Sequence, residues 1–367
     1  MRTTRLTALS VAAFTVLAIV APAAAGASPA APGAATAKPT FTAIGPLDSN
    51  VLSMTSDGKV LVGTDIYGGN AFRWSKGRGT QFLGDAGGQV SIARDGSTIV
   101  GNVVRHGHTT AAIWQGGTRW RSLGGYPGSE GCPDLSDAYA VSNGGTTVVG
   151  LGWDGCKATG FRWTESTGMR SLGSLDGQAS RANDVSADGQ VIVGWDDAPT
   201  GERRGARWVR GTESLLGNSK LFLGSAEAET PNGNVIVGQE AGKGDVHKQA
   251  YRWTKSKGGR LIGKLPGGGP FSVAAGLSVT DDGKVVVGFS GGQFRDAFVW
   301  TKRTGMFKLQ DYLESLGVKG LDGWRLDTAI AISGDGSTIA GWGYNPDGRI
   351  QSWIVRNLPP WRALPSA

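Results

Sequence analysis

The residues able to do chemistry are few in this chain: three histidines, two cysteines and scattered loop carboxylates. His106 and His108 form one His-x-His pair, and His247 stands far along the chain. Two imidazoles from one loop fall short of the three or four ligands that Zn²⁺ takes, so no metal is expected. None of the histidines lies beside a Gly-x-Ser-x-Gly or comparable nucleophile signature, which argues against a Ser-His-Asp hydrolase. Asp196-Asp197 with Glu202, and Glu227 with Glu229, are acid pairs of the kind that cleaves glycosidic bonds when the separation suits. A different chemistry is offered by Trp153, Trp195, Phe289, Trp342 and Tyr344, aromatics among small polar residues, as in sites that stack on sugar rings or grip a peptide.

What positions these residues is a repeat. Seven turns recur: Ser56-Asp57-Gly58, Arg94-Asp95-Gly96, Asn143-Gly144-Gly145, Ala187-Asp188-Gly189, Pro231-Asn232-Gly233, Asp281-Asp282-Gly283 and Gly334-Asp335-Gly336. Five residues after each turn's last glycine stands another (Gly63, Gly101, Gly150, Gly194, Gly238, Gly288, Gly341), closing an apolar strand. A tryptophan then ends a further strand: Trp74, Trp114, Trp163, Trp208, Trp253, Trp300 and Trp353. Asp-Gly and Asn-Gly between apolar runs signal a hairpin, because both turn residues need positive φ. With a strand before the turn and a fourth after each tryptophan, the unit is four short strands in 38 to 53 residues. Seven such units predict an all-β, seven-bladed β-propeller.

The ends predict how the ring closes. Phe41-Thr42-Ala43-Ile44-Gly45-Pro46-Leu47 resembles a fourth strand without its first three, and the chain after Trp353 lacks a fourth strand. Residues 41–47 therefore complete the last blade, which removes open sheet edges. The propeller is expected over 41–358, with a tail over 359–367.

Ala71-Phe72-Arg73-Trp74, Gly160-Phe161-Arg162-Trp163 and Asp296-Ala297-Phe298-Val299-Trp300, together with these turns, resemble the extracellular HAF repeat family of secreted bacterial proteins. The C-terminal Leu321-Asp322-Gly323-Trp324-Arg325-Leu326 and Ile339-Ala340-Gly341-Trp342-Gly343 resemble that family's ending, so the likeness covers about residues 41–356. Asn70, Thr159 and Asp296 stand where the motif has its histidine. The resemblance implies a secreted propeller-like repeat protein without an assigned chemistry.

Arg2 and Arg5, then an apolar run over Leu6–Val20 and small residues around Ala25, read as a signal peptide over 1–25. An Ala/Pro-rich disordered leader follows over 26–40. The apolar run is short of the roughly 20 residues a membrane span needs, and no second span follows. Secretion or loose attachment at the cell surface is expected, and an exported chain with two cysteines favours a Cys132–Cys156 disulfide. Sixty-one glycines with 13 tryptophans fit short strands and tight turns around an aromatic-rich core. The net charge of +7 is spread along the chain without the basic stripe of a nucleic-acid reader. The variable loops join strand two to three and strand four to the next blade, and propellers bind through such loops. The expected role is a monomeric, non-catalytic binding or scaffold module that contacts an extracellular glycan, cell-wall polymer or protein through them, with no cofactor, nucleic acid or membrane span. The rival reading is a glycoside hydrolase or polysaccharide lyase using the loop acids.

Overall fold

The computed structural model describes residues 37–361 except 68, 85, 106, 128–134, 219, 241–247 and 270. The expected signal peptide, most of the leader, His106, His247 and Cys132 lie outside the described residues. Seven four-stranded antiparallel sheets form a seven-bladed β-propeller. Blade one is Ser49–Met54, Val60–Asp65, Ala71–Ser75 and Gly79–Phe82, and blades two to six follow the same sequential order. Blade seven takes Arg325–Ile332, Ile339–Tyr344 and Ile350–Arg356 from the end of the chain. Its outer strand is Thr40–Leu47, paired from Thr40↔Arg356 to Leu47↔Gln351. The latch expected from the sequence is present.

In the Asp-Gly turns and at Asn232-Gly233 only the glycine takes positive φ, not both turn residues as expected, and the Asp or Asn side chain shapes the turn by hydrogen bonding instead. The Asp188 carboxylate accepts the Ser186 hydroxyl at 2.7 Å and the Gln190 amide at 3.0 Å, while Gly189 takes φ +71°. Those two donors hold the Asp188 carboxyl below the usual range. The turn aspartates are thus turn-formers rather than a catalytic ring.

The second repeated glycine has another cause. A Cβ on Gly150, Gly194, Gly288 or Gly341 would lie 1.9 Å from a first-strand carbonyl oxygen, that of Asp137, Arg181, Ala275 or Thr328. The first strand comes this close beside a bulge, where the register slips by one residue, between Ala182 and Asp184 in blade four and between Gly276 and Ser278 in blade six. The extra residue of each bulge (Leu52, Tyr139, Asn183, Glu227, Leu277 and Ile330) lines the central channel. The repeated glycine and this channel lining therefore share one origin.

The core consists of seven clusters, one between each pair of blades. Trp208 of blade four is fully buried against Ala140 and Val149 of blade three, and Trp353 of blade seven against Val285 and Val299 of blade six. Burying one such indole contributes about 2–3 kcal/mol. Arginines cover the other side: Arg356 lies 5.0 Å over the Trp74 ring of the next blade and Arg207 lies 5.7 Å over that of Trp253. Arg252 also donates to the Gly283 carbonyl of the next blade at 2.9 Å, while Arg162 donates to Thr147 in its own blade. The helix Leu309–Ser315 caps blade six through buried Leu309, Tyr312 and Leu313. The first residues beyond 358 are not a loose tail. The Trp361 ring lies 5.3 Å from that of Tyr312, and its indole N–H donates to Gly336 at 2.8 Å.

Candidate functional site

The channel, a cavity of about 150 Å³, runs between the first strands. At the Asp-Gly face a belt of main-chain bonds narrows it. The amide of Ser56 donates to the Arg94 carbonyl, Asn143 to Ala187, Ala187 to Pro231, Asp281 to Gly334, and Gly334 to Ser56, all between 2.8 and 3.1 Å. Pro231 has no N–H to donate, so the belt cannot close there. The Arg94 guanidinium crosses this mouth to the Asp281 carboxylate, which also accepts from the Ser56 hydroxyl at 3.0 Å.

Two acids meet at this end, Glu229 buried and Asp184 half-buried. Glu229 sits at the register held by Met54, Ile92, Val141, Val185, Val279 and Ile332 in the other blades. Neither of its carboxyl oxygens has a hydrogen-bond partner among the described residues. Burial first, and then the neighbouring Asp184 carboxyl, push Glu229 well above the usual carboxylate range, with Arg207 opposing. Burial likewise raises Asp184, whose carboxylate accepts the Glu229 amide at 2.9 Å.

At the opposite, variable face the predicted aromatics separate into groups. Trp195 is only 6% exposed, so it offers no free ring face. Arg203 lies 3.7 Å over it, and Arg181 lies 5.5 Å from it and 4.8 Å from Tyr139. Tyr344 is stacked by Arg325 at 4.3 Å, and the same guanidinium lies 4.6 Å from the exposed Phe294 of blade six. Phe289 is covered by Arg295 at 4.1 Å. Trp153 and Trp342 are half-buried on the second strands of blades three and seven. Aromatic platforms open to a sugar ring are thus replaced at Trp195, Phe289 and Tyr344 by guanidinium–aromatic stacks.

Sequence reasoning overlooked these arginines, although the hairpin register carried the signal. Arg181 pairs directly with Trp195, and Arg325 with Tyr344. Arg203 faces Asp197, and Arg295 faces Gly291, each diagonal to its aromatic and within reach on one sheet face.

Two acids of the rival reading, Asp196 and Asp197, are engaged in ion pairs. Asp196 is fully buried, pairs with Arg204 and accepts the Leu175 amide at 3.0 Å; Arg204 also pairs with Asp176 at 2.7 Å. Asp197 pairs with Arg203 at 3.3 Å. Glu202 is exposed at the loop tip, Glu227 lines the channel beside Asn183, and Glu229 is buried. No His, Cys, Asp and Glu group of metal-binding geometry occurs among the described residues, and none of their helices is long and apolar enough to cross a membrane. Cys156 stands in the exposed turn after Asp154 with φ +65°, and its predicted partner is the undescribed Cys132.

No protein-family model and no curated protein matches this chain. Solved structures do. The β-propeller domain of Cps50 (Swd1) from Myceliophteria thermophila aligns over 87% of this chain and 100% of its own, with a TM-score of 0.55 and 11% identity. Oligogalacturonate lyase from Vibrio parahaemolyticus aligns over 86% of this chain and 93% of its own, with a TM-score of 0.54 and 12% identity. At such identities the likeness is one of fold, and the fold it gives is the β-propeller.

Proposed function

We propose that the protein is a secreted, non-catalytic binding or scaffold module of the HAF repeat type, which contacts an anionic glycan or cell-wall polymer through the variable face. The observation that carries this reading is the set of guanidinium–aromatic stacks there: Arg181 and Arg203 on Trp195, Arg295 on Phe289, and Arg325 between Phe294 and Tyr344. A stacked guanidinium is held in place at little entropic cost; the Nε–H of Arg203 is used by Asp197 and that of Arg181 by Asn183, which leaves their terminal N–H groups to meet carboxylate, sulfate or phosphate oxygens. The ion-paired state of Asp196 and Asp197 favours binding over acid catalysis by that loop. Secretion and the Cys132–Cys156 disulfide belong to the same proposal, and thiol titration of the exported protein tests the latter.

The functional test is retention of residues 39–367 on a panel of insoluble acidic and neutral polysaccharides, with sugar release assayed on the same samples. Wild type is compared with Arg203→Ala plus Arg295→Ala. Retention by acidic polymers, lost in the double variant and without released sugar, is the expected result. Equal retention by both proteins, or released sugar, would overturn it.

A further inference from the structure

The Asp-Gly face carries a second, larger cavity of about 700 Å³, formed by blades five, six and seven and walled on one side by Pro360 and Trp361. Its volume is that of ordinary small-ligand sites. Five of its lining residues are cations and two are acids. Asp282 is occupied by Lys284 at 2.8 Å, and Asp335 by the hydroxyls of Ser333 and Ser337 at 2.6 and 2.8 Å. Arg260 and Lys302 have no carboxylate partner among the described residues and are exposed. Half-buried Arg252 has its guanidinium depressed by burial and by the positive charge of Arg260. Like charges are thus held together in a partly desolvated groove, and a bound anion would relieve them.

The apolar part of the wall narrows the ligand class. Trp300 is 4% exposed and has Arg260 over its ring at 5.7 Å, so it offers no free face. Trp361 is half-exposed and fixed from behind by Tyr312 and Phe307. One ring face beside several cations suits a ligand with an apolar face and an anionic edge, which is the shape of a pyranose bearing a carboxylate. We infer that this groove is a binding site for a short acidic oligosaccharide, with a sugar ring on Trp361 and its carboxylate among Arg252, Arg260 and Lys302. The site is separate from the variable face and does not rest on that reading.

The test uses the protein spanning residues 39–367 and titrates it with trigalacturonate, its fully methyl-esterified form and inorganic tripolyphosphate at low salt, followed by calorimetry. Trigalacturonate is expected to bind, the neutral ester at least tenfold more weakly, and tripolyphosphate more weakly than trigalacturonate because it has no ring to stack. Arg260→Gln plus Lys302→Gln, both at exposed positions, should weaken trigalacturonate binding at least tenfold with an unchanged melting temperature. Trp361→Leu should weaken trigalacturonate but leave tripolyphosphate unaffected. Arg203→Ala plus Arg295→Ala should leave the groove untouched, so the two proposals fail separately. No binding by wild type at millimolar trigalacturonate, equal binding of the ester, or full binding by the Gln double variant would overturn the assignment. Tripolyphosphate binding as tight as trigalacturonate would overturn its saccharide part.

Discussion

Arg94 of blade two and Asp281 of blade six close an ion pair across the channel mouth, joining residues 187 positions apart in the chain. Arg94 also lies near enough to Asp184 and Glu229 to favour their ionised forms, whereas Asp281 has Ser56 as its other side-chain partner. The two ends of the bridge are therefore unequal. Asp281→Asn should lower stability by about 0.5–1 kcal/mol, as a partly exposed pair would. Arg94→Gln should cost more, because it also removes the one cation acting on half-buried Asp184 and one of the two acting on buried Glu229. Urea unfolding of the single and double variants checks the order, and an Asp281 variant as costly as the Arg94 one would contradict it.

Glu229 is the sole acid at a register that is otherwise apolar. Its folded-state proton affinity is raised, so its contribution is fully favourable below the unfolded carboxylate range of about 4.3 and is lost as pH rises through the higher folded value. Glu229→Val, the residue blade four uses at Val185, should stabilise the protein at pH 8 by about 1–3 kcal/mol. It should do little at pH 4. Melting temperatures of the two proteins across this range should diverge with rising pH, and parallel curves would remove the argument.

Gly194→Ala should be destabilising although its backbone is not in the left-handed region. The new methyl would meet the Arg181 carbonyl at 1.9 Å, and that backbone cannot move without disturbing the bulge beside Asn183. A cost of about 1–3 kcal/mol follows from overpacking. Gly201→Ala, at an open loop with φ +81°, meets no neighbour and should cost about 1 kcal/mol through conformation alone. Comparing their unfolding midpoints separates steric from conformational demand.

Trp208→Ala and Trp114→Ala test whether the repeated tryptophans are equivalent. Trp208 is fully buried, and its loss should cost about 3–5 kcal/mol. Trp114 is only partly buried, with its N–H on the Gly117 carbonyl at 3.0 Å, and its loss should cost less than half as much. Equal losses in thermal unfolding would mean that position in the repeat, not burial, sets the contribution.

The blade count, the strand order, the turn roles of the aspartates and the N-terminal latch were legible in the sequence. Each depends on spacing along the chain: a turn that needs positive φ at Gly189, a strand of fixed length after it, a tryptophan at the end of the next. Local rules repeated seven times leave one way to arrange the chain. What the tertiary structure decided is the exposure of the side chains. Trp195 and Trp342 look alike in the sequence, yet Trp195 is sealed between Arg181 and Arg203 while Trp342 is half-buried. Burial and charge pairing depend on neighbours from other strands and blades, which no short repeat encodes. The same holds for the groove beside Trp361, where cations of blades five and six meet the end of the chain only because the ring has closed.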